Sequence, residues 1–326
     1  MKKILIIFVC VLMSVMMFAA CAQPAAAPAD KPTQVAQATE SADAQSTESA
    51  APAQQAGVTV TDMMGKEVTI EKTDKIVSLT PAGTEMVFSM GRGDSLVGID
   101  GFSNFPEQTA QIKVVGDFNG PDLEAIAALE PDVIFSGNTL QQDAIDGLEK
   151  LGLKVVCVEA TTYEQIPQAI TLVGDVLGAQ DAATDMIANI GMAEEAAKEA
   201  ASKNPKTKEP KSVYYAMSYG DMGNWSSGPG SFINSIVELC GGVCVTKDAQ
   251  FPWVEFPIED LVSANPDIVL LASDGGTLEE MAKAQGYKDL DAVKNGSAYI
   301  VNADVISRPG PRIAEAITMI SELINK

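Results

Sequence analysis

The chemistry open to this chain is limited first by a residue type that it lacks, because its 326 residues include no histidine. Nucleophile pairs such as Ser-His-Asp and Cys-His are therefore excluded, and so is an imidazole general base. Zinc and copper sites built on imidazole are excluded as well, although carboxylates alone could still hold a hard cation. We predict no catalytic residue, no directly bound metal and no cofactor.

The charge of the chain restricts its partners. It carries 44 acidic residues against 22 Lys and Arg, a formal net charge of −22. This is the wrong sign for a nucleic-acid partner, because duplex binding needs clustered cations that displace counterions. The apolar content of 46% and charged content of 20% are ordinary for a globular protein. We expect an acidic folded protein that does not bind nucleic acid.

The N-terminus carries the first assignable chemistry. Two lysines precede an uncharged apolar stretch, residues 4–20, which ends in Phe18-Ala19-Ala20-Cys21. A basic start, an apolar core and small residues before a cleavage point are typical of an export signal, and the last four residues resemble the lipobox of bacterial lipoproteins. We predict a signal peptide over residues 1–20 and lipidation of Cys21. A transmembrane anchor is the alternative, since 17 apolar residues reach the lower limit for a span.

Residues 21–56 follow the predicted cleavage point. After Cys21 they are mostly Ala, Pro, Gln, Ser and Thr, with neither a period of 2 nor one of 3.6. Such a composition predicts a disordered tether. The protein should therefore be extracytoplasmic and attached to the cell membrane through lipid. The long tether favours a Gram-positive surface.

Three further cysteines lie beyond the tether. Cys157 falls in an apolar β-branched run, so we predict a buried thiol. Cys240 and Cys244 bracket two glycines and could close a small disulfide loop in an oxidising compartment. Spacing does not fix the geometry of a bridge, so the bridged and free states both remain open.

The elements that must position any site alternate along residues 57–326. The segments Val58–Thr61 and Val68–Ile70 flank a Gly turn and predict a hairpin. Apolar β-branched runs then alternate with helical patterns, which indicates an α/β fold with mostly parallel sheets. The predicted strands are Lys75–Leu79, Leu96–Ile99, Lys113–Val115, Val133–Phe135, Val155–Val158, Val213–Ala216, Ile268–Leu271 and Ala298–Val301.

A long helix-forming segment interrupts the alternation from about Tyr163 to Lys203. A helix from Asp181 to Ser202 would be about 33 Å long at 1.5 Å per residue. We predict two Rossmann-like α/β lobes, 57–178 and 205–326, joined by one rigid helix over 179–204.

An internal repeat supports the two lobes. Residues 123–134 and 258–269 match position for position, and each predicts a short helix, a Pro-Asp corner and a buried strand. Glu124 and Glu259 occupy the first turn of the two helices and should face solvent at equivalent places. Their charge could complement the helix dipole or serve a function, and the repeat alone leaves both open.

From Lys75 onward the chain resembles the substrate-binding proteins of ABC importers for metal chelates, whose members bind cobalamin, ferric siderophores or haem between two lobes. Cobalamin-binding members are the most similar. The resemblance rests on the order and spacing of short motifs: Ser78-Leu-Thr-Pro-Ala-Gly-Thr-Glu85, Gly101-Phe-Ser-Asn-Phe-Pro106, the two Pro-Asp units, Glu238-Leu-Cys-Gly-Gly242, Phe251-Pro-Trp253 and Arg308-Pro-Gly-Pro-Arg-Ile313.

The resemblance implies a ligand cleft between the lobes, in which aromatic side chains hold a corrinoid. Flat side chains bind a rigid macrocycle at little conformational cost. Gly137 stands where cobalamin binders carry an aromatic residue, so a different corrinoid or another flat chelate remains open. The implied ligand residues are Phe102 and Phe118 on the first lobe, and Trp225, Trp253, Asp304 and Arg308 on the second.

Other ligands and other classes of protein are alternatives. Haem is usually held by a His, Tyr or Met ligand, and Met217, Tyr219 and Met222 keep it open. Anionic ferric siderophores need several cations, and the arginines of the chain are Arg92, Arg308 and Arg312. A secreted carboxylate-dependent enzyme and a purely structural surface lipoprotein are the alternatives outside this family.

The resemblance also implies an ABC permease, and through it an ATPase, as the protein partner. Family members dock on permease arginines through one glutamate per lobe, and Glu124 and Glu259 occupy those positions. Such pairs serve orientation and encounter rate more than affinity. We assign Glu85 to the start of a helix. The sequence thus predicts a lipid-anchored receptor for a small metal chelate and not an enzyme.

Overall fold

The computed structural model describes residues 57–117, 120–137, 142–203 and 209–326. All of them fall within one compact unit, Gln54–Lys326. The predicted signal peptide, Cys21 and the tether lie outside the described residues. None of the helices within the described ranges is both long and apolar enough to cross a membrane.

The described chain begins with the predicted hairpin. Strand β1 (Val58–Thr61) pairs antiparallel with β2 (Glu67–Ile70). The turn is held by Asp62, whose Oδ1 accepts the N–H groups of Met64 and Lys66, each at 2.9 Å. Its Oδ2 accepts the N–H of Cys157 at 3.2 Å, which attaches the hairpin to the first lobe.

The first lobe is built on a six-stranded sheet. The elements of this lobe are β3 (Ile76–Ser78), α1 (Pro81–Ser89), β4 (Leu96–Asp100), β5 (Val114–Asp117), β6 (Gly120–Pro121), α2 (Leu123–Ala127), β7 (Val133–Ser136), α3 (Gln142–Lys150), β8 (Val155–Cys157) and α4 (Ile166–Leu177). The strands lie in the order β6-β5-β4-β3-β7-β8 and are parallel except for the β5–β6 pair. Ile76 and Phe135 pack on one face of the sheet, while Val77 and Ile134 pack on the other. Burial on both faces explains why these strands are continuous apolar runs.

The elements of the second lobe are β9 (Ser212–Ala216), β10 (Trp225–Ser227), α6 (Phe232–Leu239), β11 (Val243–Cys244), β12 (Trp253–Glu255), α7 (Ile258–Ala264), β13 (Ile268–Ala272), α8 (Leu278–Met281), α9 (Asp291–Lys294), β14 (Ala298–Val301), α10 (Ala303–Ser307) and α11 (Ile313–Ile324). Four of the strands form a parallel sheet with the order β11-β9-β13-β14, and β10 and β12 form a separate antiparallel ribbon.

Helix α5 (Gln180–Ser202) joins the lobes. Its 23 residues span about 34 Å at 1.5 Å per residue. It packs against α4 of the first lobe and α11 of the second, and one apolar cluster contains buried residues of all three helices. A Cβ on Gly174 would lie 2.6 Å from the Cβ of Ala183, so the close approach of α4 to α5 requires glycine.

The predicted fold class is confirmed, with two α/β lobes and mostly parallel sheets. The eight predicted strands are all present within one or two residues, and the predicted helix 181–202 corresponds to α5. The domain boundaries stay a prediction. The sequence did not predict β6, β10, β11 or β12, which are two or three residues long and too short to show a period.

Candidate functional site

The segments that follow three parallel strands carry most of the candidate ligand residues. Phe102 follows β4, Trp225 follows β9, and Asp304 and Arg308 follow β14. Parallel strands end at the same edge of their sheet, where α/β proteins commonly bind ligands. The site therefore depends on whether the two sheets turn these edges toward each other.

The contacts of Arg308 show that the strand ends of the two sheets face each other. Its guanidinium donates to Glu85 Oε1 at 3.0 Å, to Asn104 Oδ1 at 2.9 Å and to the carbonyl oxygen of Phe102 at 3.0 Å. All three acceptors belong to the first lobe. The Arg308 side chain is 11% exposed, so the contact is largely shielded from water.

Glu85 is the centre of this contact. Its side chain is 1% exposed, and both of its oxygens also accept hydrogen bonds from Arg312, at 2.9 Å from Nε and 2.6 Å from Nη2. A buried carboxylate facing two guanidinium groups satisfies its hydrogen-bonding capacity and its charge together. The assignment of Glu85 to a helix start is wrong, because α1 begins at Pro81 and Glu85 lies beyond its first turn.

Two further contacts complete the interlobe cluster, which we define as Glu85, Asn104, Asp304, Arg308 and Arg312. Asp304 pairs with Arg308 at 2.6 Å and accepts a hydrogen bond from Asn104 at 2.9 Å. The Asp304 side chain is still 40% exposed. Arg312 also lies over the ring of Phe105, with 4.0 Å between its guanidinium carbon and the ring centroid, a cation–π contact across the lobes.

Asp100 supports the loop that carries Phe102. Its carboxylate accepts the N–H of Phe102 at 3.1 Å and a hydrogen bond from the Ser103 hydroxyl. Burial raises the pKa of Asp100, while the hydrogen bonds from Ser103 and Phe102 and the charge of Arg308 lower it. The loop is thus held in place by a largely buried acid.

The two tryptophans lie on the β10–β12 ribbon. Trp225 is directly opposite Glu255, and Ser227 is directly opposite Trp253. Opposed residues of an antiparallel pair share a face, as do residues two apart on one strand, so Trp225, Trp253 and Glu255 share one face of the ribbon. The indoles are 38% and 39% exposed. The N–H of Met217 donates to the Trp225 carbonyl at 3.0 Å and holds the ribbon against the end of β9.

The structure thus brings Phe102, Asp304 and Arg308 together, and it places Trp225 and Trp253 on the ribbon beside the end of β9. The Phe102 side chain is 52% exposed and free to meet a ligand. Phe118 lies outside the described residues. Sequence analysis missed two exposed aromatics, Phe105 and Phe251, although both stand in the quoted motifs. An aromatic residue is as common in a core as at a surface site, so the motif alone does not show its exposure.

Glu124 and Glu259 occupy equivalent places on the two lobes. Both are exposed, and they lie in the first turns of α2 and α7. Neither glutamate has an ion-pair partner among the described residues. Their docking role stays a prediction.

The described cysteines are buried free thiols. Cys240 and Cys244 are not bridged, so the disulfide that their spacing suggested is not formed. Cys240 is the residue directly after α6, and its sulfur lies 3.6 Å from the carbonyl oxygen of Ile317, while Cys244 lies in β11. Burial raises the pKa of both thiols to about 12 and that of Cys157 to about 11.

The hairpin borders several cavities that lie away from the candidate residues. One of about 220 Å³ is lined by Asp62, Ile145 and Cys157 among others. Another, of about 690 Å³, has Ile70, Arg92 and Leu177 among its lining residues. Among the described residues, no group of three or more carboxylates and thiols converges as metal ligands would.

Known proteins are similar to this chain in sequence and fold. The sequence profile of the family described as periplasmic binding protein matches residues 76–305. An uncharacterized ABC transporter substrate-binding lipoprotein, YvrC of Bacillus subtilis (strain 168), is 30% identical over 272 residues, which cover 82% of this chain and 85% of the relative. The chain belongs to the periplasmic binding protein family.

Two further relatives of this periplasmic binding protein differ in their ligands. A vitamin B12-binding protein of Vibrio campbellii (strain ATCC BAA-1116) is 27% identical over 256 residues, 76% of this chain and 88% of the relative. The solved structure of the periplasmic haem-binding protein RhuT from Roseiflexus sp. RS-1 superposes with a TM-score of 0.67 at 22% identity, over 78% of this chain and 98% of that one. The likeness to RhuT shows only that the two proteins share a fold.

The predicted family is therefore confirmed. This periplasmic binding protein is an extracytoplasmic ABC transporter substrate-binding protein, of the kind that binds a small ligand and works with a permease and an ATPase. Its relatives are binding proteins and not enzymes.

Proposed function

We propose that this protein captures a corrinoid, a cobalamin-like chelate, in the cleft between its lobes and delivers it to the permease of an ABC importer. The observation that carries the proposal is the pair of exposed indoles on one face of the β10–β12 ribbon. They are the two tryptophans of the whole chain, and each remains more than a third exposed.

Exposed indoles beside the end of a parallel strand favour a flat, partly apolar ligand. A tryptophan side chain offers a large rigid surface, so that binding a planar macrocycle loses little conformational freedom. Phe102 supplies a third exposed aromatic from the opposite lobe. We assign Phe118 to the same aromatic set, and Asp304 and Arg308 to polar contacts at the rim. The vitamin B12-binding relatives support a corrinoid within this ligand class.

The interlobe cluster disfavours an anionic siderophore. Arg308 and Arg312 both pair with Glu85, and Arg308 also pairs with Asp304, so their charges are already compensated. Haem is the second candidate, because the Met222 side chain beside the ribbon is 77% exposed and could ligate iron. The Tyr219 hydroxyl, by contrast, already donates to the Thr277 carbonyl at 3.2 Å.

A ligand titration tests the proposal. Intrinsic tryptophan fluorescence should be quenched by cobalamin or cobinamide, and less or not at all by haem or a ferric siderophore.

Substitution of the two tryptophans is a second test. Calorimetry on Trp225→Ala and Trp253→Ala should show that each substitution weakens corrinoid binding about tenfold or more, since burying an aromatic side chain contributes about 1.5–3 kcal/mol. Leu151→Ala is the matched control, because Leu151 is exposed and outside the candidate site. Tight binding of another chelate without any response to a corrinoid would refute the corrinoid proposal.

We propose further that Glu124 and Glu259 dock on the permease. The support is their exposure and their equivalence in the internal repeat. The double variant Glu124→Ala/Glu259→Ala should abolish uptake and leave ligand affinity unchanged. Glu71→Ala/Glu322→Ala, which removes two other exposed glutamates, is the charge-matched control. A loss of ligand affinity in the first variant would contradict a docking role.

The attachment of the protein to the membrane completes the proposal. We infer that Cys21 is lipidated and that residues 22–56 tether the domain to the cell surface, with a Gram-positive surface favoured by the tether. The lipoprotein relative of Bacillus subtilis supports this. Cys21→Ser should move the protein from the membrane fraction to the medium, and retention of the variant on the membrane would count against the anchor.

A further inference from the structure

The face of the ribbon that carries the two indoles also carries a carboxylate. Glu255 lies directly opposite Trp225 and two residues from Trp253 on the same strand. A Cβ on Gly223 would lie 2.9 Å from Trp225 Nε1 and 3.2 Å from Glu255 Oε1, so the indole edge and the carboxylate sit side by side against this glycine. Glu255 is therefore part of the aromatic surface.

Glu255 lacks a compensating cation. Its side chain is exposed, and among the described residues no lysine or arginine pairs with it. The arginines of the lobe interface are shared between Glu85 and Asp304. Arg92 instead donates to the carbonyls of Thr73 and Leu177, at 2.6 Å and 3.1 Å. The interlobe cluster together with Glu255 holds two arginines against three carboxylates, 2 − 3 = −1.

A carboxylate beside two exposed indoles favours a positive ligand. The face of an indole attracts a cation through its quadrupole, and a carboxylate a few ångströms away adds a Coulomb attraction that strengthens as water is expelled. The same arrangement repels free carboxylates on a ligand. A neutral ligand gains the stacking alone.

We propose that the face formed by Trp225, Trp253 and Glu255 selects flat chelates by their net charge, favouring a cationic corrinoid over a neutral one and over chelates that bear free carboxylates. This inference rests on the proposed corrinoid function and specifies the charge of its substrate.

One corrinoid in two charge states provides the test. Cobinamide with one cyanide and one water on cobalt is cationic, whereas dicyanocobinamide, formed in excess cyanide, is neutral and keeps the same macrocycle. Calorimetry on the full-length protein should show tighter binding of the cationic form. Glu255→Gln, which keeps the shape of the side chain, should weaken the cationic form about tenfold and the neutral form less than about twofold. Added salt should weaken the cationic form more in the native protein than in the variant.

Asp260→Asn is the matched control, because it removes an exposed carboxylate five residues further along the chain. It should leave both affinities unchanged. Equal losses for the two cobinamide forms in Glu255→Gln, or no loss for either, would overturn the charge selection and leave the corrinoid proposal intact. Failure of both forms to bind the native protein would overturn the corrinoid proposal and this inference with it.

Discussion

The two lobes contain the same helix-corner-strand unit, and an aspartate holds that unit in the same way in each. In the first lobe, Asp132 Oδ2 accepts the N–H groups of Asp74 and Lys75, each at 2.9 Å, just before β3. In the second, Asp267 Oδ2 accepts the N–H of Ser212 at 2.7 Å and its hydroxyl at 2.8 Å, at the first residue of β9. Each aspartate thus ties its corner to the start of a neighbouring parallel strand.

The lobes differ in what they add to this unit. The first contributes the buried acid Glu85 and the loop of Phe102, whereas the second contributes Arg308, Arg312 and the tryptophan ribbon. The shared residues build the sheets, whereas Glu85, Arg308, Arg312 and the Phe102 loop meet at the lobe interface. The difference between the lobes therefore marks the region where function is expected.

The largest expected effect comes from breaking the contact between the lobes. Glu85→Ala should lower the free energy of unfolding by about 3–5 kcal/mol, because two guanidinium groups that are mostly buried lose their common partner. Urea unfolding monitored by tryptophan fluorescence and circular dichroism would measure the loss. Glu124→Ala removes an exposed carboxylate of the same lobe and should change stability by less than about 0.5 kcal/mol.

A double-mutant cycle with Arg312→Ala separates this contact from general damage to α1. The coupling energy should be at least about 1 kcal/mol, since the two side chains share two hydrogen bonds. A loss below about 1 kcal/mol in Glu85→Ala would show that the interlobe cluster does not hold the lobes together.

A smaller and symmetric effect is expected at the two corners. Asp132→Ala and Asp267→Ala should each cost about 1.5–3 kcal/mol, because hydrogen bonds to a charged acceptor are lost in both. Urea unfolding of both variants would measure the two losses in free energy of unfolding, which should be equal. Asp260→Ala, an exposed acid in the first turn of α7, is the control. A loss confined to one lobe would show that the repeated sequence does not carry a repeated structural role.

The repeated units and the strands could be predicted because their signals are local. Segments such as residues 133–135 and 268–271 are apolar β-branched runs that follow a Pro-Asp corner, and both faces of their sheets are buried. Helix α5 was predictable for a related reason, since its helix-forming residues continue past a single glycine, Gly191, and without a proline until the predicted end.

The interlobe cluster and the ribbon could not be predicted in this way. Glu85 is 223 residues from Arg308 and 227 from Arg312, and no sequence period relates residues so distant. Strands β10 and β12 have three residues each, and their pairing places Glu255 beside Trp225 across 30 positions of the chain. The family resemblance indicated the aromatic residues, but the carboxylate on the same face of the ribbon could be identified only from the strand register.

The smallest expected effect tests the backbone of the repeat. Glu130 and Asn265 precede the two Pro-Asp pairs, and they have φ values of +50° and +39°, the positive φ angles found at residues other than glycine among the described residues. Asparagine tolerates this region better than glutamate. Glu130→Asn should therefore raise the free energy of unfolding by about 0.5–1 kcal/mol. Glu130→Gln is the control, because it removes the same charge but keeps the backbone strain of the positive φ. The ion pair of Glu130 with Lys75 is exposed, with 3.5 Å between its atoms, so the loss of this pair should change the free energy of unfolding by less than about 0.5 kcal/mol. Equal stability of the Asn and Gln variants would show that the positive φ angle at this position does not favour asparagine over other residues.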